Sequence, residues 1–492
     1  MLSNSIIERF SSLTQRKRHS HKFSGSSCGP RFHVPEKALP QFVRHCPVAM
    51  DCYHRLVSIQ WQNFPERTLN RDYPQAAVSY ASFAATCLIK VESQLASMPR
   101  LRDYLVKHPA LVWLLGFQLV PSRDFPWGFD ADASLPTARH FTQMLRKMPN
   151  HCFQFLLNET VRLLRQELKQ EAPDFGKIIS LDTKHILAWV KENNEKHFVE
   201  ERYDPKRQPR GDQDCKLGCK KRHNRGKRDR DDTPPTPTTN PQSASQAEVA
   251  QYHWGYATGN VVTKVPGWGE FVLAELTQTF DRPDVSYFHP LMEETERRLG
   301  FRPHFGTFDA AFDAFYVYEH FHRKDEPWQA GFAAVPFTQR NQRHKIFSQD
   351  GLPHCEADLP MPLVRTFMNK TSLVHHQRGV YTCPIISTHD ACPIGHEKWD
   401  QGGCVHKMPT SVGARLRHQI DRDSQLYKDI YRQRSATERI NSQAFELGIE
   451  RPKLRNQHSI TNQNTLIYII INLRGLDRVR QQKARSVTKA NQ

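Results

Sequence analysis

Lys177-Ile-Ile-Ser-Leu-Asp182-Thr183 is a short apolar run that stops at a carboxylate. A run of this length and β-branched content predicts a buried strand. His304-Phe-Gly-Thr-Phe308 repeats the pattern, stops at Asp309 and continues as Ala-Ala-Phe312. Between the two, Tyr256–Val265 and Phe271–Phe280 read as strands and Tyr287–Leu299 as a helix. Beyond them, Asp313–His322 reads as a helix and Gly331–Phe337 as a strand. Three strands followed by helix, strand, helix and strand predict a mixed α/β fold. Its five-stranded sheet combines antiparallel hairpins with parallel strands and is flanked by helices.

A third stretch, Tyr431-Arg-Gln-Arg-Ser-Ala-Thr-Glu438-Arg-Ile-Asn-Ser442, reads as a helix. Tyr431, Arg434 and Glu438 stand three and four residues apart and so share one face. Two strand-end aspartates and one helix glutamate could hold a pair of divalent cations. That is the equipment for in-line displacement at phosphorus. Magnesium takes oxygen ligands and keeps several waters, so three carboxylates suffice. Each residue also has a plainer reading. Asp182 could end a strand in a turn, Asp309 could cap the next helix, and Glu438 could pair with Arg434 or Arg439. Asp313, Glu446 and Glu450 compete for the ligand places but lack the strand-end or Tyr-Arg context. Arg434 could clamp a phosphate bidentately, and Tyr431 could contact one or simply pack.

These three motifs together resemble the DDE-type transposases of bacterial insertion sequences. The family's first motif is a strand ending in Asp-Thr-Lys, here Leu181-Asp182-Thr183-Lys184. Its second is a strand ending in Asp before small residues and an aromatic, here Phe308-Asp309-Ala310-Ala311-Phe312-Asp313. The third is a helix with Tyr, Arg, Glu and Lys separated by two, three and six residues; Tyr431, Arg434 and Glu438 obey it, and Phe445 replaces the lysine. Lys453 or Arg451 could make that phosphate contact instead. The resemblance runs from about residue 95 to about residue 480 and includes Leu447-Gly-Ile-Glu-Arg-Pro-Lys453 through Asn472-Leu-Arg-Gly-Leu476. It implies an RNase H-like catalytic core, with the first and fourth strands adjacent. It implies catalysis and metal binding by Asp182, Asp309 and Glu438, with two Mg2+ (or Mn2+) ions per site. The activity implied is DNA cleavage and strand transfer. The partners implied are the element's terminal inverted repeats, target DNA, and further copies of the chain in a dimer or larger DNA-bound oligomer.

Charge agrees with a polyanionic partner. The 492 residues carry a formal net charge of +18, which favours nucleic acid. Leu466–Leu476 is too short for a membrane span and is broken by Asn472 and Arg474, so no membrane partner is expected. Hydrophobic residues make up 38% of the chain, pointing to a core plus solvated segments. Residues 1–35 read as a disordered basic tail that touches DNA backbone, although Met1–Phe32 also has transit-peptide composition. Residues 36–172 read as a helical, DNA-binding domain. There Pro99 and Pro109 break the helical pattern, and two helices after Pro136 and Pro149 form either a helix-turn-helix or part of a plain bundle. The core occupies 173–338 and 426–482, with a tail at 483–492. Inside it, 205–250 reads as a disordered loop, basic from Lys216 to Arg230 and then Pro/Thr-rich. Lys220, Lys221 and Arg222 there, with Tyr431, Arg434 and Lys453, are the expected DNA contacts.

Residues 339–425 form a second insertion; members of the resembled family often carry a DNA-contacting insertion at this place. Four of the chain's eleven cysteines lie in it, Cys355, Cys383, Cys392 and Cys404. Four thiolates can close a structural Zn2+ site, with His389, His396 and His406 as substitutes. Cys215, Cys219 and His223 form a weaker set. Reduced thiols and a DNA partner fit a cytoplasmic, nucleoid-associated protein. Two other functions fit the same residues: a transposase-derived DNA-binding protein that no longer cuts, and an RNase H-like nuclease.

Overall fold

The computed structural model describes residues 29–67, 78–221, 250–338, 346–386 and 390–490. The N-terminal part is helical, as expected. Its main helices are α1 (Pro47–Leu56), α2 (Tyr80–Glu92), α3 (Met98–Lys107), α4 (Pro109–Leu114), α5 (Ala138–Lys147) and α6 (Asn150–Glu167). The side chains of Ser79, Ser97 and Thr137 cap α2, α3 and α5. Pro99 and Pro109 sit in the first turns of α3 and α4. There the missing N–H costs nothing, so both prolines begin helices rather than merely breaking them.

The sheet is built from β1 (Ile178–Leu187), β2 (Lys216–Lys221), β3 (Ala250–Val265), β4 (Gly269–Thr279), β5 (Phe305–Thr307) and β6 (Phe332–Ala334). Its main path runs β4-β3-β1-β5-β6. The β4–β3 and β3–β1 pairs are antiparallel; β1–β5 and β5–β6 are parallel. All five expected strands are present, in the expected mixed sheet. A sixth was not foreseen: β2 pairs with the start of β3, from Lys216↔Gly255 to Lys221↔Ala250. The basic run therefore begins as an ordered strand and not as a loop. Residues 205–215 of the expected loop are also ordered, with Asp212 and Cys215 buried, and Phe32 of the expected tail is buried in the core; 222–249 and the tail before residue 29 lie outside the described residues.

Helices cover both faces. α7 (Phe288–Leu299) lies over β3 and β4. A Cβ on Gly259 of β3 would stand 2.6 Å from Tyr287 just ahead of α7, so the strand must be bare there. The next residue, Asn260, points to the other face and donates to Asn441 at 2.9 Å and to the Tyr468 hydroxyl at 3.2 Å. α8 (Phe315–Phe321) follows β5, after a 3-10 turn at Ala310–Phe312.

The second insertion carries its own antiparallel sheet, β7 (Leu363–Asn369), β8 (His376–Thr382) and β9 (Val405–Pro409). It returns through α9 (Val412–Gln419), which packs on α8. At Gly413 a Cβ would stand 2.0 Å from the Phe315 carbonyl oxygen, so this helix contact requires glycine.

The chain ends in α10 (Gln425–Tyr431), α11 (Ser435–Glu446) and the long α12 (Gln457–Ala490). Leu466–Leu476 of α12 is buried, and Asn472 is as buried as its apolar neighbours. Asn472 accepts from the Val272 N–H and donates to the Val272 carbonyl, both at 2.8 Å. It satisfies the outer edge of β4, which would otherwise be open to pairing. No helix among the described residues is long and apolar enough to cross a membrane.

α6 packs between α12 and β4 and buries Cys152, Phe153, Leu156, Leu157, Val161 and Leu164. The opposite side of α6, with His151, Gln154, Asn158, Arg162 and Gln166, stays partly or fully exposed, so the pair after Pro136 and Pro149 fits both the bundle and the helix-turn-helix alternatives.

Candidate active site

The β1–β5 register builds the site. The parallel pairs run from Ile178↔Phe305 to Ser180↔Thr307. Asp182 and Asp309 each stand two residues beyond that last pair, and period two turns both toward the same face. Asp182 does not end its strand, contrary to expectation. β1 continues to Leu187 because β3 still pairs with it there, with Asp182 opposite Asn260. Only the parallel neighbour has stopped.

Asp182 accepts from the Thr183 N–H at 2.9 Å and from Asn441 Nδ2 at 3.3 Å. Burial pushes its carboxyl up to about 6; the charges of Asp309 and Asp284 add to this, while the Thr183 N–H and Arg434 oppose it. Asp309 caps the 3-10 turn after β5 by accepting from the Ala311 N–H at 2.9 Å. Its carboxyl is also raised by burial and held back by that N–H and by Arg434. Capping and site membership coexist at Asp309. Carboxyls raised by burial and by each other's charge favour a nearby cation.

Asp284 is a third carboxylate here that the motifs missed. It opens the 3-10 turn Asp284–Tyr287 before α7 and accepts from the Thr183 hydroxyl at 2.8 Å. Burial and the Asp309 charge raise its pKa. Arg282-Pro-Asp284 reads as an ordinary turn; only the contact with Thr183 identifies it as part of this corner.

The helix stretch departs from the expected single α-helix. α10 ends at Tyr431, a 3-10 turn spans Arg432–Arg434, and α11 begins at Ser435. The backbone stays right-handed helical through the join, so the shared face persists. Arg434 donates to Glu438 Oε1 at 2.7 Å, and its charge reaches Asp182, Asp309 and Tyr431. Tyr431 is half-buried and stacks on Tyr427 with ring centres 5.8 Å apart. The Glu438 side chain is 57% exposed and turned to Arg434. Among the described residues no three His, Cys, Asp or Glu side chains stand together as a metal-holding group. The donors gathered around Asp182 are all oxygen, the class that a hard divalent ion takes, and Arg434 stands between them and Glu438.

Asp313, the competing second aspartate, is not part of this site. It lies between the 3-10 turn and α8 rather than within a helix. It is clamped by Arg417 of α9, whose Nε donates at 2.6 Å, and by Thr338 and Tyr318. Of the other expected DNA contacts, Lys453 is exposed and its ammonium stands 5.7 Å above the Trp189 ring. Lys220 and Lys221 lie in β2, and Arg222 falls outside the described residues. At Phe445, the Lys184 ammonium reaches across from β1 to 5.5 Å from the ring and also pairs with Glu450 at 3.3 Å.

No protein-family model matches the chain, and no curated protein matches it significantly.

Proposed function

We propose that the chain is an insertion-sequence DNA transposase with an RNase H-like core. The single observation that carries this reading is the β1–β5 register. It sets Asp182 and Asp309 side by side at one end of the sheet, within reach of the arginine that holds Glu438. The strand path β4-β3-β1-β5-β6, with the first and fourth core strands adjacent, supports the RNase H-like part of it.

In this reading Asp182, Asp309 and Glu438 would hold two magnesium or manganese ions once Glu438 leaves Arg434. Such ions activate the attacking oxygen and take up charge on the leaving oxygen. Arg434 exchanges Glu438 for a phosphate oxygen when DNA enters, which frees the glutamate to turn inward. Water attacks phosphorus at the element end and the 3′ oxygen leaves as a hydroxyl. That hydroxyl then attacks a phosphodiester of target DNA, and the target's own 3′ oxygen departs. Lys453 and the basic strand β2 hold DNA backbone; a dimer or larger assembly pairs the two ends. The place of action is the cytoplasmic nucleoid.

The test uses purified chain, Mg2+ and linear DNA ending in the inverted repeats that flank its gene. The unmodified chain should cut the ends and join them to target DNA. Asp182→Ala, Asp309→Ala and Glu438→Ala should bind the ends and do neither, because backbone contacts and not the carboxylates supply affinity. End binding without any cutting by the unmodified chain would instead make it a DNA-binding protein of transposase descent. Cutting of structured nucleic acid without joining would make it a nuclease.

A further inference from the structure

We propose that Cys355, Cys383, Cys392 and Cys404 bind one zinc ion that fastens the inserted sheet to its loops. The inference is independent of the catalytic reading. The thiols come from four separate places in the insertion. Cys383 directly follows β8 and Cys404 directly precedes β9. The last pair of those strands is Thr382↔Val405, so the two cysteines occupy the next cross-strand position. A Cβ on Gly403 would stand 2.7 Å from Cys383 Cβ and 3.3 Å from its sulfur; the chain needs glycine there to bring Cys404 alongside.

Cys355 lies in the small apolar core of the insertion, and Cys404 and Ala357 pack against that core. The fourth thiol belongs to the turn Cys392-Pro-Ile-Gly395-His396. The Cys392 carbonyl accepts the Gly395 N–H at 3.1 Å to close this turn, with Gly395 in the left-handed region at φ +57°. His396 ties this turn to Glu356 at 3.2 Å, next to Cys355.

The apolar core of the insertion is small. It consists of Cys355, Met361, Tyr381, Met408 and Ala414. β7 is solvent-exposed on both faces, with Leu363, Val364, Phe367 and Met368 uncovered. A core this small ordinarily needs a metal or disulfides. All four cysteines are free of disulfides, and Cys355 and Cys383 are each only 5% exposed. No three of the four sulfurs already stand together as a metal-holding group, so binding must draw the four cysteine segments closer to one another. Four thiolates select zinc among the common structural ions.

The experiment is elemental analysis of the full chain purified without added metal, followed by cobalt substitution. One zinc per chain is expected. It should leave as thiols are titrated with a mercurial, and cobalt should replace it with intense thiolate-to-cobalt absorption. Cys392→Ser and Cys404→Ser should each lose the ion, while Cys215→Ser and Cys219→Ser keep it. The proposal is overturned if the unmodified chain carries no zinc and its insertion thiols react freely. It is equally overturned by a Cys383–Cys404 disulfide in non-reduced peptides, or by zinc that follows Cys215 and Cys219. If the serine variants fail to fold, zinc content and thiol protection in the unmodified chain still decide.

Discussion

Arg434 illustrates how one side chain serves two readings. Its bond to Glu438 at 2.7 Å is an i,i+4 helix pair with the glutamate exposed, worth about 0.3–0.5 kcal/mol. Its charge also faces two half-buried aspartates, and a charge-assisted phosphate clamp there is stronger. Arg434→Ala should therefore leave the melting temperature nearly unchanged and sharply reduce strand transfer from a pre-cut end. A fall in melting temperature with normal transfer would make Arg434 structural. Asp182, Asp309, Arg434 and Glu438 were legible because each sits in a run whose period fixes its direction. Asp284 was not, because its membership rests on a hydrogen bond to Thr183 from a distant turn.

Among the elements, α9 and α12 each carry a buried polar contact to a distant strand or turn. Asp313 is fully enclosed and paired with Arg417; with the Thr338 bonds, Arg417 offsets the burial and holds the carboxyl down to about 2, against 3.8 ordinarily. The folded pKa is depressed, so the stabilisation is full above about 4 and is lost as pH falls from about 4 toward 2. It amounts to about 2 kcal/mol. Acid unfolding of Asp313→Asn should lack that component, seen as a flatter loss of stability across this window than in the unmodified chain. Asn472 makes a comparable contact with the β4 edge. Asn472→Leu would leave the buried N–H and C=O of Val272 without partners, at about 1–3 kcal/mol each. Urea melts should show that loss; an unchanged midpoint would mean that water or a shifted α12 satisfies the edge. The asparagine was visible in the sequence only as an interruption of an apolar run. Its purpose required knowing which strand lies beside α12.

For the whole molecule, one contiguous apolar core joins the N-terminal helices, the sheet and α12, while residues 222–249 connect β2 to β3 in sequence and lie outside the described residues. Deleting 222–249 and rejoining Lys221 to Ala250 through a short turn should leave cooperative melting intact. DNA binding should weaken and its salt dependence should become shallower, as phosphate contacts are lost. Loss of cooperative melting would show that the segment contributes to the core. The deletion must spare Lys216–Lys221, since these residues are paired with β3.

The sequence alone determined the order of elements, the mixed sheet and the residues that could do chemistry. These follow from apolar period, turn residues and motif spacing, all local properties of the chain. The extent of β1 past Asp182, the pairing of β2, the packing of α6 and the capture of Asp313 by Arg417 were decided only in three dimensions. Each depends on a partner far away in the chain, and no local pattern specifies how long a neighbouring strand runs or which charge arrives beside a carboxylate. The same holds for the four insertion thiols: their number was legible, but the β8–β9 register alone sets Cys383 beside Cys404.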